Sequence, residues 1–409
     1  MRKQQLYLVL ALLLILPFRF FLECRYGSIE RAEAIIAEYE SICEDQHYAE
    51  RLPSISPHYG VLAYAKGDFE SAVRFFSDNL SHHWDSFVGR EELLVKLGNS
   101  FLAKIFYEQN RIDDAIANIK AMGASVEATF SEIIDTTDVT LALCLMQSHG
   151  AEQAIEHLDR TRRQRELYGH RNTLAVIDAI KVSLLVRIGR FEEAKRLFKT
   201  SNLIAHWEAD RECFHWNWLF VESFVRACGA LSAIAEDSNA LCGVITNIRE
   251  RAATHGRDRA AALCDVFLAQ VNDQNGDRPA AVTCLRSALS IHAACGALRP
   301  YLDAPGKIAP ILESLLETET EPVIREYASR VFGVLLDDIQ SSHLRKILTA
   351  REGEVLVELA KGHPTKLIAR NLAISPETVK HHLKNIFSKL GVENRRDAVS
   401  EAYRRTLSS

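Results

Sequence analysis

The sequence predicts an all-α chain: an α-solenoid of helical hairpins, then a small four-helix domain. Apolar residues recur at helical spacing over long segments, and alternating runs are few. Gly and Pro are scarce, 19 and 10 in 409 residues. A short motif of small and apolar residues also returns at a nearly fixed interval, the mark of a repeat array.

At 409 residues the chain exceeds one ordinary core. With 47% hydrophobic and 25% charged residues it has the composition of a soluble folded protein. Its net charge of −5 is unevenly spread. Residues 344–409 hold 13 Lys+Arg against 7 Asp+Glu, a balance of +6, and the remaining residues hold 36 against 47, a balance of −11. A basic tail on an acidic body is expected where only the tail meets phosphates. The expected division is therefore an acidic body over 1–340 and a basic tail domain over 341–409.

The repeat reads as a turn residue, an apolar residue, two mostly polar residues and then Ala. It appears as Gly27-Ser28-Ile29-Glu30-Arg31-Ala32, Gly67-Asp68-Phe69-Glu70-Ser71-Ala72 and Asn110-Arg111-Ile112-Asp113-Asp114-Ala115. Gly189-Arg190-Phe191-Glu192-Glu193-Ala194 is the cleanest copy, with weaker ones at His149–Ala154 and Gly276–Ala281. The alanines at 32, 72, 115, 154 and 194 are spaced by 40, 43, 39 and 40 residues; the next, Ala281, is 87 on, which places a degenerate copy near Ala240. The Gly or Asn permits the positive φ that ends one helix and reverses the chain. Ala belongs where two helices cross, because only a small side chain allows the backbones to approach. Such hairpins must stack to bury their faces, and the concave groove of the stack is the usual place for a peptide, protein or small ligand. These repeats resemble tetratricopeptide units, and with their longer period they are similar to the repeats of MalT-like regulators. Gly296-Ala297-Leu298-Arg299-Pro300-Tyr301-Leu302-Asp303 resembles the segment that closes the array in that group.

The N-terminus carries an unbroken apolar run, Leu6–Leu16, behind Arg2 and Lys3. It is short for a membrane span, Arg19 interrupts its extension, and no small-x-small cleavage site follows. Cationic residues before it would stay inside and export the rest of the chain. The run is therefore read as a buried helix preceding Gly27, with a membrane anchor as the alternative. None of the nine cysteines forms a Cys-x-x-Cys pair, so they read as small buried hydrophobes in a reducing cytosol; His206, Cys213 and His215 lack the ligand spacing of a zinc site. The aromatic segment Ala205–Phe220 reads as core between repeats, and the run Arg160, Arg162, Arg163, Arg165 as a solvated face. Beyond Gly296 the prolines at 300, 305 and 310 break the pattern, and helices from Ile308 to about Gln340 lead to a Ser341-Ser342-His343 linker.

In the tail, Thr349-Ala350-Arg351-Glu352 is a capping box that opens a helix whose inner face is Val355, Leu356, Leu359 and Ala360. Gly362 ends it. A short helix follows with Thr365 as its N-cap and Ile368, Ala369 and Leu372 inward. Ser375 and Pro376 then start a helix that runs to Leu390 and stops at Gly391. Asn394 caps a last helix through Arg405. Two short helices with a tight turn, the second basic, make a helix-turn-helix. At 100° per residue Val379, Leu383, Ile386 and Leu390 share one side of the second helix; Glu377, Lys380, His381, Lys384 and Ser388 fall opposite, the face free to enter a major groove.

This tail resembles the LuxR/GerE family through Leu348-Thr349-x-Arg351-Glu352-x-Glu354-Val355-Leu356, Gly362, Lys366-x-Ile368-Ala369, Leu372-x-Ile374-Ser375, Thr378-Val379-Lys380-x-His382, Asn385-Ile386, Lys389-Leu390-Gly391-Val392 and Arg395-x-x-Ala398. The resemblance covers about 60 residues. It implies that Lys380, His381 and Lys384 face bases, that Thr365, Lys366, Ser375 and Thr378 lie near phosphates, and that the last helix pairs two copies. His363-Pro364-Thr365 and Leu367 depart from the family's usual residues at the start of the first of the two short helices. The expected protein is thus a cytoplasmic transcriptional regulator that binds double-stranded DNA as a homodimer, with RNA polymerase as a candidate partner and a small ligand or protein on the repeats. The alternative is an interaction scaffold, membrane-tethered in one version, whose tail does not read DNA. No catalytic pair, metal set or cofactor is expected, and no Gly-x-x-x-x-Gly-Lys-Ser/Thr phosphate loop is present.

Overall fold

A computed structural model of the chain describes residues 12, 15–24, 27–45, 55–81, 90–122, 131–168, 171–212, 218–234, 239–304, 308–360, 364–372, 374–392, 394–395 and 398. These are helices and the turns between them, with no strand among the described residues. Helix α1 covers 15–24. It is followed by α2 (Ile29–Asp45), α3 (Ser56–Lys66), α4 (Phe69–Ser81), α5 (Arg90–Glu108), α6 (Ile112–Ala121), α7 (Ser131–Ser148), α8 (Ala151–Tyr168), α9 (Arg171–Arg187) and α10 (Phe191–Thr200). Then come α11 (Leu203–Glu212), α12 (Trp218–Ser232), α13 (Asn239–Thr254), α14 (Asp258–Gln274), α15 (Arg278–Cys295), the single turn α16 (Arg299–Leu302), α17 (Ala309–Thr318) and α18 (Pro322–Ile347). The tail holds α19 (Ala350–Ala360), α20 (Thr365–Asn371) and α21 (Pro376–Leu390). The chain divides into two compact units, Met1–Ala328 and Ser329–Ser409. The boundary expected at 340/341 falls inside α18. Ser341-Ser342-His343 is helical rather than a linker, because no glycine or proline interrupts the segment between Gly333 and the break before Ala350.

In the first unit α3/α4, α5/α6, α7/α8, α9/α10, α12/α13 and α14/α15 pack as hairpins, and the first helix of each packs on the first helix of the next. The turn residues behave as their chemistry requires. Gly67, Gly150, Gly189 and Gly276 have φ between 79° and 95°, and Asn110 takes the same left-handed region at 64°. Gly27 does not; its carbonyl instead accepts a hydrogen bond from Arg257, 3.1 Å away. Ala32, Ala72, Ala115, Ala154, Ala194 and Ala281 are each the fourth residue of their helix, and each is fully buried. The degenerate copy lies near Ala240, as the spacing expects, with its anchor two residues on. Ala240 is exposed, and the fourth residue of α13 is Cys242, which packs on the core.

A polar staple repeats alongside the alanines. Asp178 of α9 accepts from Arg162 of α8 at 2.9 Å and from Ser201 after α10 at 2.7 Å. In the same register Asp265 of α14 accepts from Arg249 of α13 and, at 2.7 Å, from Ser287 of α15. Each buried carboxylate thus fastens three helices. Arg165 pairs with Asp138 of α7 and Arg160 with Glu156, so most of the basic run is spent on ion pairs of its own array.

The first and last hairpins of the unit meet. The Arg257 guanidinium donates to the carbonyls of Cys24 (2.6 Å), Gly27 (3.1 Å) and Glu23 (3.3 Å), and the Ile29 amide reaches the His255 carbonyl. The Leu298 amide donates to the Glu108 carbonyl at 2.7 Å. Cys295 and Ala297 lie in the same apolar cluster as Phe20, Ile36, Val61 and Phe76. The expected open groove is therefore closed, and much of its inner side is filled by two charge clusters. In one, Asp303 accepts from Tyr107 (2.6 Å), Arg187 (3.1 Å), Arg226 (3.4 Å) and Arg299. In the other, Arg259 pairs with Glu108 at 2.9 Å and with Glu222, and its guanidinium sits 4.4 Å from the centre of the Tyr64 ring. Burial alone would raise the Asp303 and Glu222 carboxyls, but the surrounding cations outweigh it and hold each at about 2. His292 shows the reverse. It is fully buried against Tyr301, and burial, aided by the Arg259 and Arg226 charges, pushes it down to about 3.

Most of the Leu6–Leu16 run lies outside the described residues. Of the helix that follows, Leu16 and Phe20 are buried, whereas Ile15, Phe18 and Leu22 are exposed. No helix among the described residues is long and apolar enough to cross a membrane. Trp207 and Phe220 are core, stacked on or beside Phe224, while 213–217 of the aromatic segment, including Cys213, lie outside the described residues. Cys43, Cys144, Cys228, Cys264 and Cys295 are buried free thiols, and Cys24, Cys242 and Cys284 are half-buried.

Two outcomes follow. Ala194→Leu should overfill the α9–α10 crossing and destabilise by about 1–3 kcal/mol, whereas Ala240→Leu should stay within about 0.5 kcal/mol. Denaturant midpoints that do not separate the two variants would contradict the repeat register. The buried His292 fixes the second. Below about pH 6.5 the unfolded chain binds a proton on this residue that the folded chain refuses down to about 3, so stability falls across that window. Asp303 adds a further loss only as pH falls from its ordinary 3.8 through about 2. Urea midpoints between about pH 7 and about pH 4 should fall more steeply for the native chain than for His292→Gln; equal slopes would show that His292 is not held neutral.

Candidate nucleic-acid interface

The second unit is built from its helix ends inward. At the start of α19 the Thr349 amide donates to the Glu352 carboxylate at 2.7 Å, and the Glu352 amide donates back to the Thr349 hydroxyl at 3.3 Å. The same Glu352 carboxylate accepts from Lys389 of α21 at 2.7 Å. Burial works to raise this carboxyl, but the Lys389 bond and those from Thr349 outweigh it and hold it below the usual range. One capping residue thereby ties α19 to the last turn of α21. Arg351 donates to the Leu372 carbonyl at the end of α20, and Asn371 donates to Glu358 of α19 at 2.6 Å.

Between these ties lies a small apolar core: Leu348, Val355, Leu356, Leu359, Ile368, Ala369, Val379, Leu383, Ile386, Leu390 and Ala398. Helix α21 starts where Ser375, in extended backbone, accepts the Thr378 amide at 3.1 Å, with Pro376 in the first turn. It stops at Gly391, whose φ of 70° ends the helix. Helix α20 begins one residue earlier than expected. Pro364 is its N-cap, and its carbonyl accepts from Leu367 and Ile368, so Thr365 is the first helical residue rather than the cap. Proline supplies no side-chain cap, and its fixed φ sets the chain for the turn that follows. Gly362 and most of the last helix after Asn394 lie outside the described residues.

The seven residues expected at the interface fall into two places. Lys380, His381 and Lys384 are exposed on α21, opposite the buried Val379, Leu383 and Ile386. Lys366, on α20, is exposed, as are Ser375 and Thr378 at the start of α21, where the two hydroxyls lie 2.9 Å apart. Thr365 is half-buried and shares a shallow groove of about 320 Å3 with Lys380, Lys384, Phe387 and Arg395. Arg395 is the addition that sequence reasoning missed. Its Nε and one Nη are buried and have no hydrogen-bond partner among the described residues. It stood in the family motif as Arg395-x-x-Ala398, but spacing alone could not bring it beside α21, because it lies beyond the turn at Gly391.

A capped helix, a tight turn and a second helix with a basic exposed face define a helix-turn-helix domain. Residues 346–402 match the family model for bacterial regulatory proteins of the luxR family, so this tail is a LuxR-family domain. The chain is similar to the probable transcriptional regulatory protein NarL of Mycobacterium tuberculosis, 46% identical over 61 residues, which is 15% of this chain and 28% of that protein. It is likewise similar to the monoamine regulon transcriptional regulator of Klebsiella aerogenes, 47% identical over 64 residues, 16% of this chain and 28% of that one. These matches thus cover little more than a quarter of either relative. The HTH-type transcriptional regulator MalT of Klebsiella pneumoniae is 26% identical over 162 residues, 34% of this chain and 18% of its own length. That stretch exceeds the second unit, so the similarity extends into the helical array.

Proposed function

We propose that the chain is a sequence-specific DNA-binding transcriptional regulator of the LuxR family, whose helical array senses a small ligand or a protein partner. The observation that carries this reading is α21: one face is locked into the core by Val379, Leu383, Ile386 and Leu390, and the other presents Lys380, His381 and Lys384 to solvent. A helix held this way can enter a major groove, where Lys donates to guanine and His donates or accepts. The relatives' names, all of them transcriptional regulators, support the same assignment. In this reading Thr365, Lys366, Ser375 and Thr378 meet phosphates at the edges of the groove, helped by the positive end of α21. Arg395 adds a further cation there. Two copies pair through the last helix on a pseudo-palindromic site, RNA polymerase is a partner of the assembled complex, and the protein works in the cytoplasm.

The roles of the two lysine sets separate in one experiment. The full chain and its variants are titrated on a randomised duplex library at several salt concentrations. Lys380→Ala should cost about 1–3 kcal/mol and relax base preference at one position of each half-site. Lys366→Ala should weaken binding to all sequences alike and lower the salt slope by about one unit. A Lys380→Ala protein that binds more weakly but prefers the same sequence would remove α21 as the reading helix.

A further inference from the structure

The inner helices of the array leave a cavity beside the Arg259 cluster. Its volume is about 130 Å3, roughly ten times the room one water needs. Its lining is mostly apolar and includes Phe21 and Phe101, together with the charged Lys104, Arg257, Arg259 and Glu222. Lys104, Arg257 and Arg259 line the cavity with one carboxylate, Glu222, among them, while a second, Glu108, pairs with Arg259 at 2.9 Å from outside the lining. The Glu222 carboxylate is already shared, accepting from Lys104 at 2.9 Å and from Arg259. The Arg259 side chain is 6% exposed, and its Nε has no acceptor. Burial opposes the charge on Lys104 and outweighs Glu222, holding the amine below its usual range. Partly desolvated cations that line a cavity favour an anion there over a neutral or cationic guest.

We propose that this cavity binds a small amphiphilic monocarboxylate, an aromatic or branched aliphatic acid of roughly ten non-hydrogen atoms. Its carboxylate meets Arg259 and Lys104, and its body lies against Phe21 and Phe101. The assignment rests on the reading of the array as a sensor and gives that sensor its ligand class. The location also supplies a mechanism. Phe21 belongs to α1 and Arg257 and Arg259 to the start of α14, segments more than 200 residues apart that meet at the closure of the array. A ligand touching both sides stabilises the closed arrangement by mass action.

Calorimetry and thermal unfolding of the full chain test this with 3-phenylpropionate and 4-methylpentanoate as probes. The matched neutral and cationic probes are 3-phenylpropionamide and phenethylamine. The carboxylates should bind saturably and raise the melting temperature; the amide and the amine should not. Lys104→Met removes one cation, and Ala65→Leu fills the space without touching the charges. Each should weaken carboxylate binding about tenfold or more, with circular dichroism reporting that the fold is kept. Absence of carboxylate binding, equal binding of the amide, or unchanged binding by Ala65→Leu would overturn the site. Carboxylate binding that leaves affinity for the library-selected duplex unchanged would uphold the site and overturn the sensing role.

Discussion

Arg257 and the two charge clusters beside it join parts of the chain that no local preference would bring together. Stacked hairpins need only their neighbours, and an array of them can remain open at both ends. Here the guanidinium of Arg257 takes up carbonyls at and just beyond the end of α1, and Arg259 delivers its charge to Glu108 of α5 and Glu222 of α12. Asp303 does the same for α5, α9, α12 and α16. Taking so many charges out of water carries a large desolvation penalty. The gain is geometric: a buried ion whose partners come from four helices is satisfied in one arrangement only. Apolar packing could hold these helices together in several registers; the charges select one.

The array and the tail were legible in the sequence to different depths. The alanine positions could be read because the helix crossing tolerates only a small side chain, and six crossings produced six visible alanines. At the seventh, Cys242 fills the same fourth position, two residues from the Ala240 near which the spacing placed the copy. Gly27 was misread: a glycine before a helix suggested a left-handed turn, whereas its carbonyl is used to hold Arg257. The segment from Gly296 to Asp303 stood out by its resemblance, yet its role as a source of buried charge did not. That role depends on Tyr107, Arg187 and Arg226, which are scattered along the chain, and nothing in their spacing announces a common partner. The Arg-Asp-Ser staples escaped notice for the same reason.

In the tail, local rules carried further. Capping box, Ser-Pro start and glycine stop each act within one turn of helix, and each sits where its chemistry demands. The two-faced character of α21 follows from a period that any helix must obey. Two features lay beyond local rules. One is the start of α20, where Pro364 rather than Thr365 caps. The other is the bond from Lys389 to Glu352, which makes a single carboxylate both a cap for α19 and an anchor for α21. Through that bond, the orientation of the basic face depends on a residue 37 positions away in sequence.

Closure of the helical array is the premise on which the proposed ligand sensing at its junction depends, and amide hydrogen exchange measures it directly. The full chain is compared with Arg257→Gln, peptide by peptide, under native conditions. If Arg257 holds the two ends together, exchange quickens not only around residue 257 but also across α1 and α2, over 15–45, and at the start of α3. Quickened exchange confined to the turn between α13 and α14, with 15–45 unchanged, would contradict closure.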